Sequence, residues 1–121
     1  RITLEDTEEE TRIRLTLRFD RAWASVVKGT EDADFVIDDR DRSEGLLYVT
    51  FVGPRDEEDS GWFDWLWGGE DEHPLAGHQY QIHLDRAGEE LTLITLRGPD
   101  GGAVDRRDQQ ALLTILRGNI T

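Results

Sequence analysis

The 121-residue chain contains no cysteine, which excludes disulfides, thiolate metal sites and thiol nucleophiles together. It has no run near the roughly 20 apolar residues that a membrane-spanning helix needs. It opens on Arg1-Ile2-Thr3-Leu4 without the pattern of a secretory leader. That abrupt start reads as an excised piece of something longer, so a missing targeting signal says nothing about the parent's address. Basic residues are scarce, 14 against 27 acidic ones, for a net charge of -13. Such a field repels phosphate backbones and anionic lipid surfaces, although salt screens it beyond about 8 Å. The basic stripe that nucleic-acid binding needs is missing, so no nucleic-acid partner is expected.

Catalytic and metal-binding patterns are also lacking. The serines are Ser25, Ser43 and Ser60, and none lies in Gly-x-Ser-x-Gly. Gly68-Gly69 and Gly101-Gly102 are not followed by the Lys or Ser/Thr of a phosphate loop. Asp39-x-Asp41-x-Ser43 starts like a calcium loop, but Glu44 stands where that loop needs glycine and Thr50 where it needs glutamate. His78 and His83 are five apart, which on one strand puts them on opposite faces, and His73 precedes Pro74. No enzyme activity, cofactor or metal is expected.

What is present is periodicity. With 36% hydrophobic and 34% charged residues, the composition fits one domain, residues 1–121, with a single lean core. Ile13, Leu15 and Leu17 alternate with polar neighbours from Arg12 to Arg18, the period of a half-buried strand. Asp20 is a candidate N-cap for a helix of about ten residues carrying Trp23, Val26 and Val27, with Gly29 marking its exit. Phe35–Ile37 and Leu46–Val52 read as strands around a polar turn at residues 38–45. Tyr80, Ile82 and Leu84 alternate on the next strand, Ala87-Gly88 suggests a hairpin turn, and Leu91–Leu96 returns. After the turn at Pro99–Gly102 a last helix starts near Asp105, with Leu112, Leu113, Leu116 and Ile120 as its apolar stripe. The expected class is α+β: an antiparallel sheet packed against a C-terminal helix and a shorter N-terminal helix.

Residues 54–77 form a long aromatic and acidic loop in this reading. Three of the four tryptophans, Trp62, Trp65 and Trp67, fall there beside Phe63 and Leu66. Each large aromatic buries about 150–250 Å², worth about 4–6 kcal/mol at most, so leaving all five side chains in water is unfavourable. Three readings stay open. The cluster folds back over the domain's own sheet, anchors a protein partner, or inserts at a lipid interface, although the flanking Asp56–Asp59 and Glu70–Glu72 oppose an anionic one.

The residues Phe19-Asp20-Arg21-Ala22-Trp23, then Phe35 through the Asp41-Arg42-Ser43-Glu44-Gly45 turn into Leu46-Leu47-Tyr48-Val49, resemble the BamC (NlpB/DapX) lipoprotein family. The likeness runs from about residue 12 to 120 and is better to the family's C-terminal globular domain. It implies a helix-grip fold and a non-catalytic accessory of the outer-membrane β-barrel assembly machinery, with other subunits of that machinery as partners. It also implies a location at the outer membrane, held by a lipid anchor outside this fragment, and a monomeric fragment. In the turn, Asp38, Arg40, Arg42, Ser43 and Gly45 are expected to fix the strand by local hydrogen bonds. A helix-grip domain that binds a small molecule or lipid is the alternative.

Overall fold

The computed structural model describes residues 1–53 and 75–120. These form a six-stranded antiparallel sheet with two helices, an α+β fold. The strands are β1 (Ile2–Asp6), β2 (Thr11–Leu15), β3 (Phe35–Asp41), β4 (Leu46–Phe51), β5 (Gln79–Gly88) and β6 (Leu91–Arg97). The helices are α1 (Phe19–Asp32) and α2 (Arg106–Asn119). The sheet order is β1-β2-β6-β5-β4-β3, so β6 lies between two strands far from each other in sequence.

β1 was not expected from the sequence. Ile2 and Leu4 alternate correctly but over five residues, too short a signal beside a chain end. Its hairpin to β2 is shaped by Thr7, whose backbone N–H and hydroxyl both donate to the Glu10 carbonyl at 2.8 and 2.9 Å. Three further expectations are corrected. Arg18, not Asp20, occupies the N-cap position of α1, and no side chain caps it. Both helices have 14 residues, so the N-terminal one is not shorter. Gly29 does not end α1 but lies buried within it, where an added Cβ would stand 2.9 Å from Ile120 Cγ1 and 3.1 Å from the Asn119 carbonyl. Small size there lets the end of α2 pack on α1, which offsets the poor helix propensity of glycine.

Alternation decides the two faces of the sheet. Ile13, Leu15, Leu47, Val49, Phe51, Ile82, Leu84, Ile94 and Leu96 point to one side, where they pack with Ala22, Trp23 and Val26 of α1 and Leu112, Leu113 and Leu116 of α2. α2 lies over β1, β2 and β6, and α1 over β3, β5 and β6. Removal of these apolar side chains from water, at about 25 cal/mol per Å², is the main force holding sheet to helices.

Polar contacts set how α2 meets the sheet. Asp6 accepts from Thr11 Oγ1 and from Gln110 Nε2, and Arg106 reaches Asp6 and the Glu8 carbonyl. Hydrogen bonds from Thr11 and Gln110, helped by the Arg106 charge, hold the Asp6 carboxyl below the usual carboxylate range. Where the β2–β6 ladder stops, the buried Gln109 amide stands between the strands. The Thr11 N–H donates to its Oε1 at 2.7 Å, and its Nε2 donates to the Leu96 carbonyl at 3.1 Å.

Burial, reinforced by the Asp108 carboxylate of α2, pushes the Tyr80 phenol up to about 12 from 10.0. A raised folded-state value gives stability that is full below pH 10 and is lost as pH climbs from 10 through about 12. Chemical denaturation across that range should therefore show the parent weakening relative to Tyr80→Phe. Parallel pH profiles for the two proteins would contradict burial as the cause.

Candidate interaction surface

The polar segment expected as one turn over residues 38–45 divides in two. β3 continues through Asp41, so Asp38 and Arg40 lie on a strand, with a register irregularity between Ile37 and Asp39. Asp38 accepts from Thr50 Oγ1 of β4 at 2.6 Å. The turn proper is the short 3₁₀ segment Arg42–Glu44, capped by Asp41. Asp41 Oδ1 accepts from Ser43 Oγ at 2.8 Å and from the Glu44 N–H at 3.2 Å. Asp41 lies within the polar turn read from the sequence but was not among the residues expected to fix the strand, although an Asp two positions before a Ser is the composition of such a cap.

The same turn is held against α1 and β5. Arg42 pairs with Asp20 at 3.1 Å and Arg40 with Glu31 at 3.7 Å, both exposed and each worth at most about 1 kcal/mol. Gly45 has φ +65°, and its carbonyl accepts the Leu84 N–H at 2.7 Å. Nearby, Arg86 of β5 lies over the Phe19 ring, 4.5 Å from its centroid, and Phe19 stacks on Trp23. β5 runs to Gly88 with an irregularity after Arg86, so the hairpin turns at Glu89-Glu90 rather than at Ala87-Gly88. A cleft of about 680 Å³ lies between this hairpin and the start of α1, lined by Arg18, Phe19, Asp20 and Arg86 through Glu90.

The second face of the sheet carries no helix among the described residues. Its register sets Arg14 opposite Leu93, His83 opposite both Thr95 and Leu46, and Gln81 opposite both Arg97 and Tyr48. Tyr48 and Val36, exposed at 36% and 38%, are the large hydrophobic side chains left open among the described residues, and both lie on this face. Arg12 is held by Glu5 at 2.6 Å, whereas Arg14 and Arg97 have no ion-pair partner among the described residues. Gln81 donates to the Pro99 carbonyl and stands 2.9 Å from His83 Nε2. Burial and the Arg97 charge lower the His83 value, against a smaller opposing effect of Asp85.

Thr95 is 3% exposed at the centre of this face, and its Oγ1 has no hydrogen-bond partner among the described residues. A buried unpaired hydroxyl costs about 1–3 kcal/mol, so Thr95→Val, which keeps the shape, should stabilise the fold by about 1 kcal/mol. A melting temperature unchanged or lowered in Thr95→Val would mean that the hydroxyl is satisfied in solution. The residues Trp62, Phe63, Trp65, Leu66 and Trp67 lie outside the described residues. Of the segment 54–77, the structure describes the turn at residues 75–77, where Leu75 is buried in the core and the Gly77 N–H donates to the Phe51 carbonyl.

Residues 2–120 match the family model of the outer membrane protein assembly factor BamC-like C-terminal domain. The chain belongs to this family. Three curated relatives carry the name outer membrane protein assembly factor BamC. The one from Thiobacillus denitrificans is 32% identical over 102 residues, covering 81% of this chain and 28% of the relative. That from Pseudoalteromonas atlantica is 30% identical over 93 residues, covering 76% and 24%. That from Ferrimonas balearica is 34% identical over 91 residues, covering 75% and 23%. The chain thus spans about a quarter of the length of these BamC relatives. In this BamC-family domain the outward sheet residues Arg14, Thr95 and Arg97 went unnoticed in the sequence. The one available signal was that Arg12 and Arg14 share a strand face opposite Ile13 and Leu15.

Proposed function

We propose that this chain is a non-catalytic accessory domain in the assembly of β-barrel proteins of the outer membrane, acting by binding other subunits of the assembly machinery. The match to the BamC C-terminal family across residues 2–120 carries the reading. The names of its relatives place them in outer-membrane protein assembly. Exposed Tyr48 and Val36 on the sheet face opposite α1 and α2 support a binding rather than a chemical role. In this reading the domain works as a monomer, and the outer membrane holds it through a lipid anchor elsewhere in the protein. Trp62, Phe63, Trp65, Leu66 and Trp67 are a second contact element, because Trp is enriched among residues that dominate binding energy.

Ligand binding inside a helix-grip cavity gains no support. The residues that would line such a cavity, including Leu112, Leu113, Leu116, Ile82 and Ile94, are packed against one another at 0% exposure. The test is photo-crosslinking from position 65 in the protein within its native envelope. A discrete adduct with a subunit of the assembly machinery is the expected result. Intramolecular products alone would show that the tryptophans contact their own domain and overturn their assignment to an interface.

A further inference from the structure

The two edges of the sheet differ. β3, at one edge, is blunted: its register slips between Ile37 and Asp39, and Asp38, Asp39, Arg40 and Asp41 charge its second half. Bulges and charges of this kind are how sheet edges avoid pairing with another chain. β1, at the other edge, has neither over Ile2-Thr3-Leu4 and pairs with β2 through five residues without irregularity.

The hydrogen bonds that flank β1 fix which of its backbone groups face outward. The Thr16 N–H donates to the Arg1 carbonyl at 3.0 Å, and the Thr7 N–H to the Glu10 carbonyl at 2.8 Å. Antiparallel ladders alternate, so Thr3 and Glu5 also turn their backbone towards β2, while Ile2, Leu4 and Asp6 turn theirs away. The same alternation holds one strand further in, where the Thr11 N–H faces away from β1 and meets Gln109. The side chains of Ile2 and Leu4, opposite Leu15 and Ile13, lie on the helix side and are only partly buried against the core. The apolar layer under α2 therefore ends half-covered at β1, beside backbone donors and acceptors that carry no strand among the described residues. Beyond Asp6, which Thr11, Gln110 and Arg106 engage, the turn presents Glu8 and Glu9, exposed and without an ion pair among the described residues.

We propose that β1 is a receiving edge, to which an extended segment of a protein partner adds as a further antiparallel strand. Its apolar residues alternate towards the helix side, continuing the row of Ile2 and Leu4, and a Lys or Arg near its first residue lies beside Glu8 and Glu9. The proposal rests on the reading that the domain acts by protein–protein interaction, and it names the edge and the chemistry of what adds there. Main-chain hydrogen bonds require an extended chain, and alternate side chains supply selectivity. A second copy would bring another net charge of -13, which opposes pairing. A lipid interior would leave the outward N–H and C=O groups unpaired.

The test places a photoreactive benzophenone residue at position 3, exposed on β1, in the full protein within its native envelope. Expected is an adduct with a subunit of the assembly machinery whose crosslinked peptide, identified by mass spectrometry, alternates apolar and polar residues and carries Lys or Arg on its N-terminal side. Leu4→Pro removes an outward N–H and leaves the bonds to β2, so it should lower the yield about tenfold. Glu8→Lys/Glu9→Lys should lower it several-fold. Thermal melting confirms that each variant is folded, and should Leu4→Pro unfold the domain, Ile2→Pro and the lysine pair decide. Equal yields in all backgrounds, a crosslinked peptide without the alternation or the basic residue, a lipid adduct, a second copy, another stretch of the same chain or no adduct at position 3 would each overturn the proposal. A probe at position 65 separates the two levels. Adducts with the machinery from 65 but none from 3 reject this edge and leave the proposed function standing, whereas adducts from neither reject both.

Discussion

Gly45→Ala should cost about 3 kcal/mol or more of folding stability, one of the largest losses available to a single methyl group in this protein. Two effects add. At φ +65° an L side chain is strained by about 1–2 kcal/mol. The new Cβ would also stand 2.3 Å from the Leu84 carbonyl oxygen, a backbone atom within the β5 ladder. Relief requires moving β4 from β5, which breaks the 2.7 Å hydrogen bond from the Leu84 N–H to the Gly45 carbonyl. Gly77 is the control: φ is +87°, but nothing among the described residues lies within 4 Å of an added Cβ. Gly77→Ala should lose about 1 kcal/mol, from backbone strain alone. Urea denaturation of the two variants beside the parent measures both. Similar losses for the two would remove the contact with Leu84 from the explanation.

Gln109→Leu is the second large effect, expected at about 3 kcal/mol. The substitution keeps side-chain size and helix propensity while deleting both polar atoms. The Thr11 N–H would lose its acceptor and the Leu96 carbonyl would lose the Gln109 donor. Each buried group left unpaired costs about 1–3 kcal/mol, and the apolar gain of leucine offsets part of that. Hydrogen exchange offers a sharper readout than global stability. The Thr11 amide should lose protection in Gln109→Leu while amides of β4 keep theirs relative to the global unfolding limit. Retained protection at Thr11 would mean that β2 and β6 close up and bond directly.

These two residues also show how unevenly the structure could be read beforehand. Gly45 was legible: a glycine after Asp-Arg-Ser-Glu and before a β-branched, aromatic strand marks a turn that needs positive φ. Its contact with Leu84, 39 positions away, was not. Gln109 gave no signal, because a glutamine between Asp108 and the Leu112–Leu113 stripe has the composition of a solvated helix face. It is buried since α2 crosses the point where β2 and β6 part, and that crossing is a property of the assembled sheet. Gly29 misled for a related reason. A glycine late in a helical pattern is an ordinary stop signal, yet here it admits the Ile120 end of α2.

The candidate site follows the same division. Asp38, Arg40, Arg42, Ser43 and Gly45 drew attention because charge and turn chemistry are local. Arg14 and Arg97 did not, since each is an ordinary outward residue on its own strand. They become a pair on one face because β6 lies beside β2 and between it and β5.

By itself, the sequence determined the α+β class, the alternation that buries Ile13, Leu15, Ile82 and Leu84, the apolar stripe of α2, and the family, because each is written in local periodicity or in contiguous motif residues. The tertiary structure alone decided the order β1-β2-β6-β5-β4-β3, the role of Gln109, and the meeting of Arg14 and Arg97 on one face. The physical reason is that a period of two or 3.6 residues reports which side of an element is buried, but not against what. The neighbour is chosen by the joint packing of all elements at once, against the chain entropy of closing the loops between them.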